Sequence, residues 1–250
     1  MLFRSVSAAP VAGDLVEIAG RPVRLRVHGA ARRVSIRIDP AKREAVATAP
    51  SARRLPEALA FARTRADWIA QRLDALPEAL GFAPGAVLSV QGAPIVLERA
   101  RMRIAPKLIP ATPEEPARLL AYGEGAAFAR AVERGLKAEA LKRLTERTLV
   151  HAAALGARTP SVAVMDARGR WGSCTPPQRG ATGRIRYSWR LLLAPYSVLD
   201  YVAAHECAHL VEANHGPRFW ALVKTLYGDH APARAWLKAH GVRLHATGAA

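Results

Sequence analysis

Residues 205–215 read HECAHLVEANH, and the rest of the chain is best interpreted outward from this stretch. It places His205 and His209 four positions apart, with Glu206 directly after the first histidine. Residues four apart lie on one face of an α-helix, so both imidazoles can point at a single metal ion. Glu206 can then reach a water molecule beside that ion. This HExxH pattern is typical of zinc hydrolases.

The residues around the motif predict a helix that begins just after Pro195, a residue suited to a first helical turn. The side opposite the histidines is apolar and can anchor the helix in a core; it carries Leu199, Ala203 and Leu210. We expect the helix to end near Ala213, because Asn214 tolerates a left-handed terminating conformation and a Gly-Pro pair follows.

A third ligand is needed to complete a catalytic zinc site, which has three protein ligands and one open position. A turn after the motif can bring His215 back to the metal, whereas Glu212 lies on the zinc face one turn beyond His209. We favour His215 and keep Glu212 as the alternative. The prediction is one Zn²⁺ ion held by His205, His209 and His215, with Glu206 as the catalytic carboxylate.

Composition limits the partners and the compartment. The net charge is +17, but the arginines are scattered, so charge alone gives weak support to a nucleic-acid partner. No apolar run is long enough for a membrane span, and residues 1–13 show no secretory signal. Two cysteines, Cys174 and Cys207, do not suggest a disulfide framework. We therefore expect a cytoplasmic protein without a membrane partner.

The first half of the chain predicts an α+β arrangement. Alternating apolar residues between 20 and 50 predict an antiparallel β meander, and the stripe in 51–76 predicts a helix packed on it. Residues 81–100 predict a hairpin that turns at Gln91-Gly92. The prolines in 105–116 suggest a boundary. We predict an N-terminal α+β portion at 1–110 and a core that carries the HExxH motif at 111–250, or one continuous domain.

The second half predicts a helical region from about residue 115 to 155, interrupted at its glycines and followed by a short strand at 162–165. A long loop, 166–183, comes next. Residues 184–192 then alternate between basic and apolar side chains, which predicts a strand. This strand could lie beside the cleft and pair with an extended peptide.

These motifs together carry a family resemblance. They are, in order, Arg170-Trp171-Gly172-Ser173-Cys174, Trp189-Arg190-Leu191, Ala194-Pro195, Asp200-Tyr201-Val202, His205-Glu206-x-x-His209-Leu210 and Asn214-His215-x-x-x-Phe219-Trp220. In these elements the chain resembles the YgjP-like metallopeptidases, zincins related to SprT and WLM-type proteins. The resemblance covers roughly residues 20 to 245, and the proline-rich stretch is a local departure from it. It implies a zincin-like fold with His205, His209 and His215 as zinc ligands and Glu206 as catalytic carboxylate.

Three function classes follow from these observations. The first is a zinc peptidase acting on a peptide or protein, in which Glu206 takes a proton from a zinc-activated water. The second is a metal-dependent nucleoside triphosphate pyrophosphatase, an activity also attached to the family. The third is a basic, nucleic-acid-associated protein with a structural zinc, which the catalytic-type carboxylate argues against. A nucleophilic Cys174 is disfavoured because no histidine lies nearby in the sequence.

Overall fold

The structure is a computed structural model that describes residues 9–40, 42–76, 81–167, 169–178 and 181–248. Most of the stretch tested for a secretory signal, residues 1–8, lies outside this description, as do three positions of the loop 166–183. The chain forms two compact units that divide between residues 79 and 80. The mixed α+β class predicted from the sequence is confirmed in both units.

The N-terminal unit consists of a four-stranded sheet covered by two helices. Its elements are β1 (Leu15–Ile18), β2 (Arg21–Val27), β3 (Ser35–Asp39), β4 (Glu44–Ala49), α1 (Leu55–Thr64) and α2 (Ala66–Asp74). The strand order is β1-β2-β4-β3, and β2 runs parallel to β4. The predicted meander is therefore wrong in its topology. The small, apolar strand β4 is buried on both faces and takes a central position, whereas β3, with exposed Ser35 and Arg37, lies at the edge.

The core of this unit lies between the sheet and its helices. Apolar side chains at helical spacing on α1 and α2 pack against β2 and β4. They are Leu55, Ala58, Leu59, Ala62, Ile69 and Leu73. The packing predicted from the stripe is confirmed, but the chain forms two helices here where the stripe predicted one.

The second unit begins with the predicted hairpin. Its strands are β5 (Val87–Val90), β6 (Ala93–Arg99), β7 (Lys107–Ile109), β8 (Arg118–Ala121), β9 (Ser161–Met165), β10 (Gly172–Thr175) and β11 (Arg184–Ser188). Strands β5 and β6 pair antiparallel, and Gln91 and Gly92 between them both have positive φ, as the favoured two-residue hairpin turn requires. The hairpin and its turn are thus confirmed.

The proline-rich stretch lies inside a sheet. Its strand β7 pairs with β8 in a sheet of order β5-β6-β8-β7, so hydrogen bonds cross the predicted division at residues 110 and 111. The compact units divide earlier in the chain. The helical region predicted from residue 115 begins later, at Gly125, because residues 118–121 are strand β8.

Six helices occur in the described residues, and the four of the second unit are α3 (Gly125–Ala154), α4 (Tyr196–Ala208), α5 (Pro217–Tyr227) and α6 (Ala231–Ala246). Helix α3 is a single helix, although its glycines predicted an interruption. A Cβ at Gly135 would lie 2.8 Å from Cβ of Pro106, so the missing side chain permits close packing there. None of the helices in the described ranges combines the length and apolar character that crossing a bilayer requires.

A three-stranded sheet and the helices after it position the site. The strand order is β10-β11-β9, so β11 is the central strand and β10 is an edge. The strand predicted over 184–192 ends at Ser188, and residues 189–193 form a buried 3₁₀-helix instead. Helix α4 then packs against α3, α5, α6 and β10. Its residues on several sides are buried, which fixes its orientation.

Candidate metal centre

Helix α4 carries the motif, as predicted, and it begins at Tyr196 directly after Pro195. It ends at Ala208, five residues before the predicted end near Ala213. The prediction is wrong because the chain tightens after the helix: the Leu210 amide donates to the Cys207 carbonyl at 2.9 Å, a 3₁₀-type bond. Asn214 does not adopt the left-handed conformation expected of it.

The early end of α4 brings three imidazoles together. Nε2 of His215 lies 3.2 Å from Nε2 of His205 and 3.2 Å from Nε2 of His209. One nitrogen from each of the three rings falls within 4.8 Å of the others, and the group found in the described residues does not include Glu212. The structure therefore brings together the three histidines predicted as ligands and leaves the alternative, Glu212, outside the cluster.

Phe219, on α5, packs against the rings of all three histidines. Its ring is fully buried, and its centroid lies 4.9 Å from that of His205, 4.4 Å from that of His209 and 4.7 Å from that of His215. A rigid aromatic ring at this distance restricts the tilt of each imidazole. The position of Phe219 in the sequence motif gave no indication of this contact.

The outer nitrogens of two histidines have hydrogen-bond partners, and the partner of His209 sets its tautomer. Nδ1 of His209 lies 3.0 Å from the carbonyl oxygen of Glu212, which can only accept, so Nδ1 carries the proton. Nδ1 of His205 lies 3.4 Å from the hydroxyl of Tyr201, a longer contact. The lone pair of Nε2 is then free for a metal ion in His209. Glu212 acts here through its backbone, not its carboxylate.

The electrostatics favour uncharged imidazoles. Burial, followed by the nearby His209 and His215, lowers the pKa of His205 to about 4. Burial also lowers the pKa of His209. Both rings are therefore neutral at pH 7, the form in which histidine binds a metal ion.

The spacing of the nitrogens fits zinc. Two nitrogens bound to a tetrahedral zinc at about 2.0–2.1 Å lie about 3.3–3.4 Å apart. The two Nε2–Nε2 distances of 3.2 Å come close to this value. Three imidazoles also match the donor set of zinc sites that keep one position open. The residues present thus fit a zinc ion.

Glu206 lies beside the cluster and is almost completely buried, with 6% of its surface exposed. Burial raises the pKa of its carboxyl group to about 7, while the positive charge of Arg170 opposes that rise. A carboxyl group with a pKa near the working pH can both take and return a proton. The sequence predicted the residue, and the structure adds the burial that adjusts its basicity.

Gly172, the first residue of β10, shapes the space for Glu206. A Cβ built at Gly172 would lie 2.6 Å from both Cγ and Cδ of Glu206, and closer still to Oε1. No side chain fits there without displacing the carboxylate. Sequence reasoning named Gly172 only as part of a motif, because a pattern does not show which backbone approaches a side chain.

A cavity of about 350 Å³ opens onto His205 and Glu206. Its other lining residues are Trp171, Gly172, Tyr201, Val202, Arg234 and Leu237. The guanidinium group of Arg234 lies 5.1 Å from the centroid of the Trp220 ring, and Trp220 stacks on His230 at 4.7 Å. This stack holds a positive charge at the cavity wall. Arg234 and His230 belong to none of the sequence motifs, so sequence patterns do not single them out.

The strand that borders the cavity is β10, not the strand predicted from residues 184–192. Strand β11 lies between β9 and β10 and has no free edge, so the prediction that residues 184–192 pair with a peptide is wrong. Within the described residues, β10 and β9 are the two edge strands of this sheet, and the first residue of β10 lines the cavity. Strand β10 lies within the loop predicted at 166–183, because its four residues, Gly172–Thr175, have no alternating pattern.

The cysteines are poor candidates for chemistry. Burial, with a smaller contribution from Glu206, raises the pKa of the Cys174 thiol to about 12. Burial likewise raises the pKa of Cys207 to about 12. Both thiols are neutral at pH 7, whereas the thiolate is the nucleophile. His151, which lies outside the histidine cluster, is buried with Nε2 2.7 Å from Oδ1 of Asp200.

The α+β fold, the HExxH helix and the three converging histidines define a protein of the metallopeptidase class. A family model described as "YgjP-like, metallopeptidase domain" matches residues 32–240, and the chain belongs to that family. Neither the search of curated proteins nor the search of solved structures found a match to the chain. The family resemblance predicted from the sequence is confirmed.

Proposed function

We propose that the protein is a zinc-dependent peptidase in which His205, His209 and His215 hold one zinc ion and Glu206 is the general base. One observation carries the proposal: three imidazole nitrogens converge beside a buried carboxylate at the wall of an open cavity. Family membership supports a metallopeptidase, and the donor set supports zinc.

A zinc ion held there supplies Lewis acidity, which polarises a carbonyl group and lowers the pKa of a water molecule to about 7. Glu206 takes a proton from the attacking water and passes it to the leaving amine. Its pKa of about 7 suits both steps, since the same group must be a base first and an acid afterwards. Gly172 leaves the space in which the carboxylate performs them.

The substrate is aligned by the free edge of β10. An extended peptide can add to this edge by backbone hydrogen bonds, which would place a scissile bond beside Glu206. Arg234 lines the same cavity and can donate to a carbonyl or carboxylate group of the substrate. The cluster of aromatic rings behind Arg234 keeps it oriented towards the cavity.

The test compares the zinc-loaded protein with its Glu206→Gln variant on a peptide library and on nucleoside triphosphates. We expect peptide cleavage that a chelator abolishes and zinc restores. Glu206→Gln should lower kcat by a factor of about 10²–10⁴ and retain zinc. Full activity of Glu206→Gln would refute the mechanism. Pyrophosphate release without any peptide cleavage would instead favour the nucleotide hydrolase.

The ligand set is tested separately by metal analysis of His215→Ala beside Glu212→Ala. His215→Ala should lose most of its bound zinc, and Glu212→Ala should keep it, because Glu212 contributes its backbone carbonyl and not its carboxylate. Unchanged zinc content in His215→Ala would refute the assignment of the third ligand.

A further inference from the structure

A groove in the N-terminal unit runs between the edge strand β3 and the helices α1 and α2. Its volume is about 510 Å³, and its lining residues are Arg33, Val34, Ser35, Ile36, Phe61, Arg65 and Trp68. A second hollow of about 420 Å³ shares Arg33, Val34 and Phe61 and continues it along α1. We call the two together the β3–α1 groove. It shares no residue with the metal centre.

The backbone of β3 is open along one side of this groove. Strand β3 pairs with β4 and ends the sheet order β1-β2-β4-β3, so no further strand of the described unit adds to it. An edge of this kind presents a row of N–H and C=O groups that can pair with another extended chain. Grooves between an edge strand and a helix are a recurrent place for peptides to bind by strand addition.

The opposite wall of the groove is aromatic. Phe61 on α1 and Trp68 on α2 are each 36% exposed, so both rings offer apolar surface to the groove. Arg65 lies between them in the sequence, and its Cζ is 5.7 Å from the Phe61 ring centroid. Cζ of Arg72 is 5.9 Å from the Trp68 ring centroid. These cation–π contacts hold the rings in place without covering them.

The charge of the groove is positive and uncompensated. Residues 9–76 contain thirteen Arg and Lys against seven Asp and Glu. Several of the acids are already engaged: Glu44 with Arg24 at 2.7 Å, Asp74 with Arg21 at 2.6 Å and Glu57 with Arg54 at 2.7 Å. By contrast, neither Arg33 nor Arg65 forms an ion pair with a carboxylate in the part of the chain that the structure describes, and both are exposed.

We propose that the β3–α1 groove binds an extended acidic peptide segment as an additional strand on β3. Its backbone pairs with the free edge, its acidic side chains reach Arg33 and Arg65, and its apolar side chains pack on Phe61 and Trp68. The open edge favours a peptide over a single-stranded nucleic acid, which would use the arginines and the rings but cannot continue a β-ladder. The segment binds independently of the metal centre and of the reaction proposed for it.

The experiment measures fluorescence anisotropy with labelled ten-residue probes. One peptide alternates Glu with Val and Thr, a second has Gln at every Glu position, and a third probe is an oligothymidylate of equal length. The protein is the zinc-loaded full chain with Glu206→Gln, so that cleavage does not consume the peptide. We expect the acidic peptide to bind at least about tenfold more tightly than the Gln peptide, and less tightly as salt rises.

Matched variants locate the binding. Arg65→Glu should weaken the acidic peptide by about tenfold or more, whereas Arg63→Glu should change it less than about twofold, because Arg63 is exposed on α1 but does not line the groove. Trp68→Ala should also weaken it. Circular dichroism checks that each variant is folded; Arg65→Glu decides the result if Trp68→Ala unfolds.

Three results would overturn the proposal. The first is equal binding of the acidic and Gln peptides, or binding of neither, which would remove the role of charge. The second is an equal loss of binding in Arg63→Glu and Arg65→Glu, which would place the contact outside the groove. The third is binding of the oligothymidylate and of neither peptide, with sensitivity to Arg65→Glu and Trp68→Ala, which would make the groove a nucleic-acid site.

Discussion

Helix α4 and strand β10 border the same carboxylate, and they contribute to the site in opposite ways. The helix supplies functional side chains, His205 and Glu206, and buries most of its other residues to hold them in place. The strand supplies a backbone from which a side chain is missing: any Cβ at Gly172 would collide with Glu206. Substitutions on α4 should therefore remove chemistry, whereas substitutions on β10 should matter only where they change the space around Glu206.

The largest loss of zinc affinity and activity should come from a substitution on helix α4. His205→Ala removes one of three proposed ligands, and zinc affinity should fall by more than about 100-fold, since losing an outer partner of a ligand alone typically costs about 10–100-fold. Peptidase activity should fall with it. Metal analysis after dialysis against a weak chelator measures the loss. His240→Ala is the matched control, because His240 is exposed on α6 and stacks on Trp236 at 4.4 Å. Equal zinc contents would contradict the assignment.

The next largest loss of activity should come from a substitution on strand β10. Gly172→Ala should displace the Glu206 carboxylate, and kcat should fall by about 10–100-fold, because a displacement of about 1 Å can cost about 100-fold in rate. Zinc content should not change, since the histidines do not contact Gly172 in this way. Gly169→Ala is the control: a Cβ there meets nothing within 4 Å. If both variants kept the full rate, the distinction between α4 and β10 would fail.

The same difference explains how much of the site could be predicted from the sequence. His205, Glu206 and His209 follow from helical periodicity, because their spacing alone places them on one face. His215 follows from the need for a turn, although the helix ends at Ala208 and not near Ala213. Gly172 could not be predicted, since its role depends on the tertiary approach of its backbone to the Glu206 side chain, which is distant in the sequence.

The fold, like the site, could be predicted from the sequence only in part. Periodicity predicted the hairpin around Gln91-Gly92, because the turn chemistry is local. It did not predict that β4 lies between β2 and β3, since strand order depends on which strand is buried on both faces. Likewise β11 was assigned to the cleft edge, but neighbouring strands cover both of its sides. Pairing between distant strands is not encoded in the alternation of any one of them.

A smaller loss of zinc affinity should come from a substitution of Tyr201, the residue whose hydroxyl group lies beside His205. Tyr201→Phe removes the hydroxyl that lies 3.4 Å from Nδ1 of His205. Outer partners typically contribute about 10–100-fold to metal affinity, and this contact is long, so we expect a loss of about tenfold at most. A competition titration with a chromogenic chelator measures the affinity. Tyr196→Phe, on the exposed first residue of α4, should leave it unchanged. A larger loss in Tyr196→Phe would contradict this role.

The smallest effect should come from the one side chain of β10 that could have carried chemistry. Cys174→Ala should change kcat/KM by less than about twofold, because the thiol has a pKa of about 12 and only roughly one molecule in ten thousand is ionised at pH 8. Iodoacetamide at pH 8 should accordingly leave the activity intact. A peptidase assay of the variant and of the alkylated protein checks both. If Cys174→Ala abolished activity while Gly172→Ala did not, β10 would act through its side chain, and the contrast with α4 would be reversed.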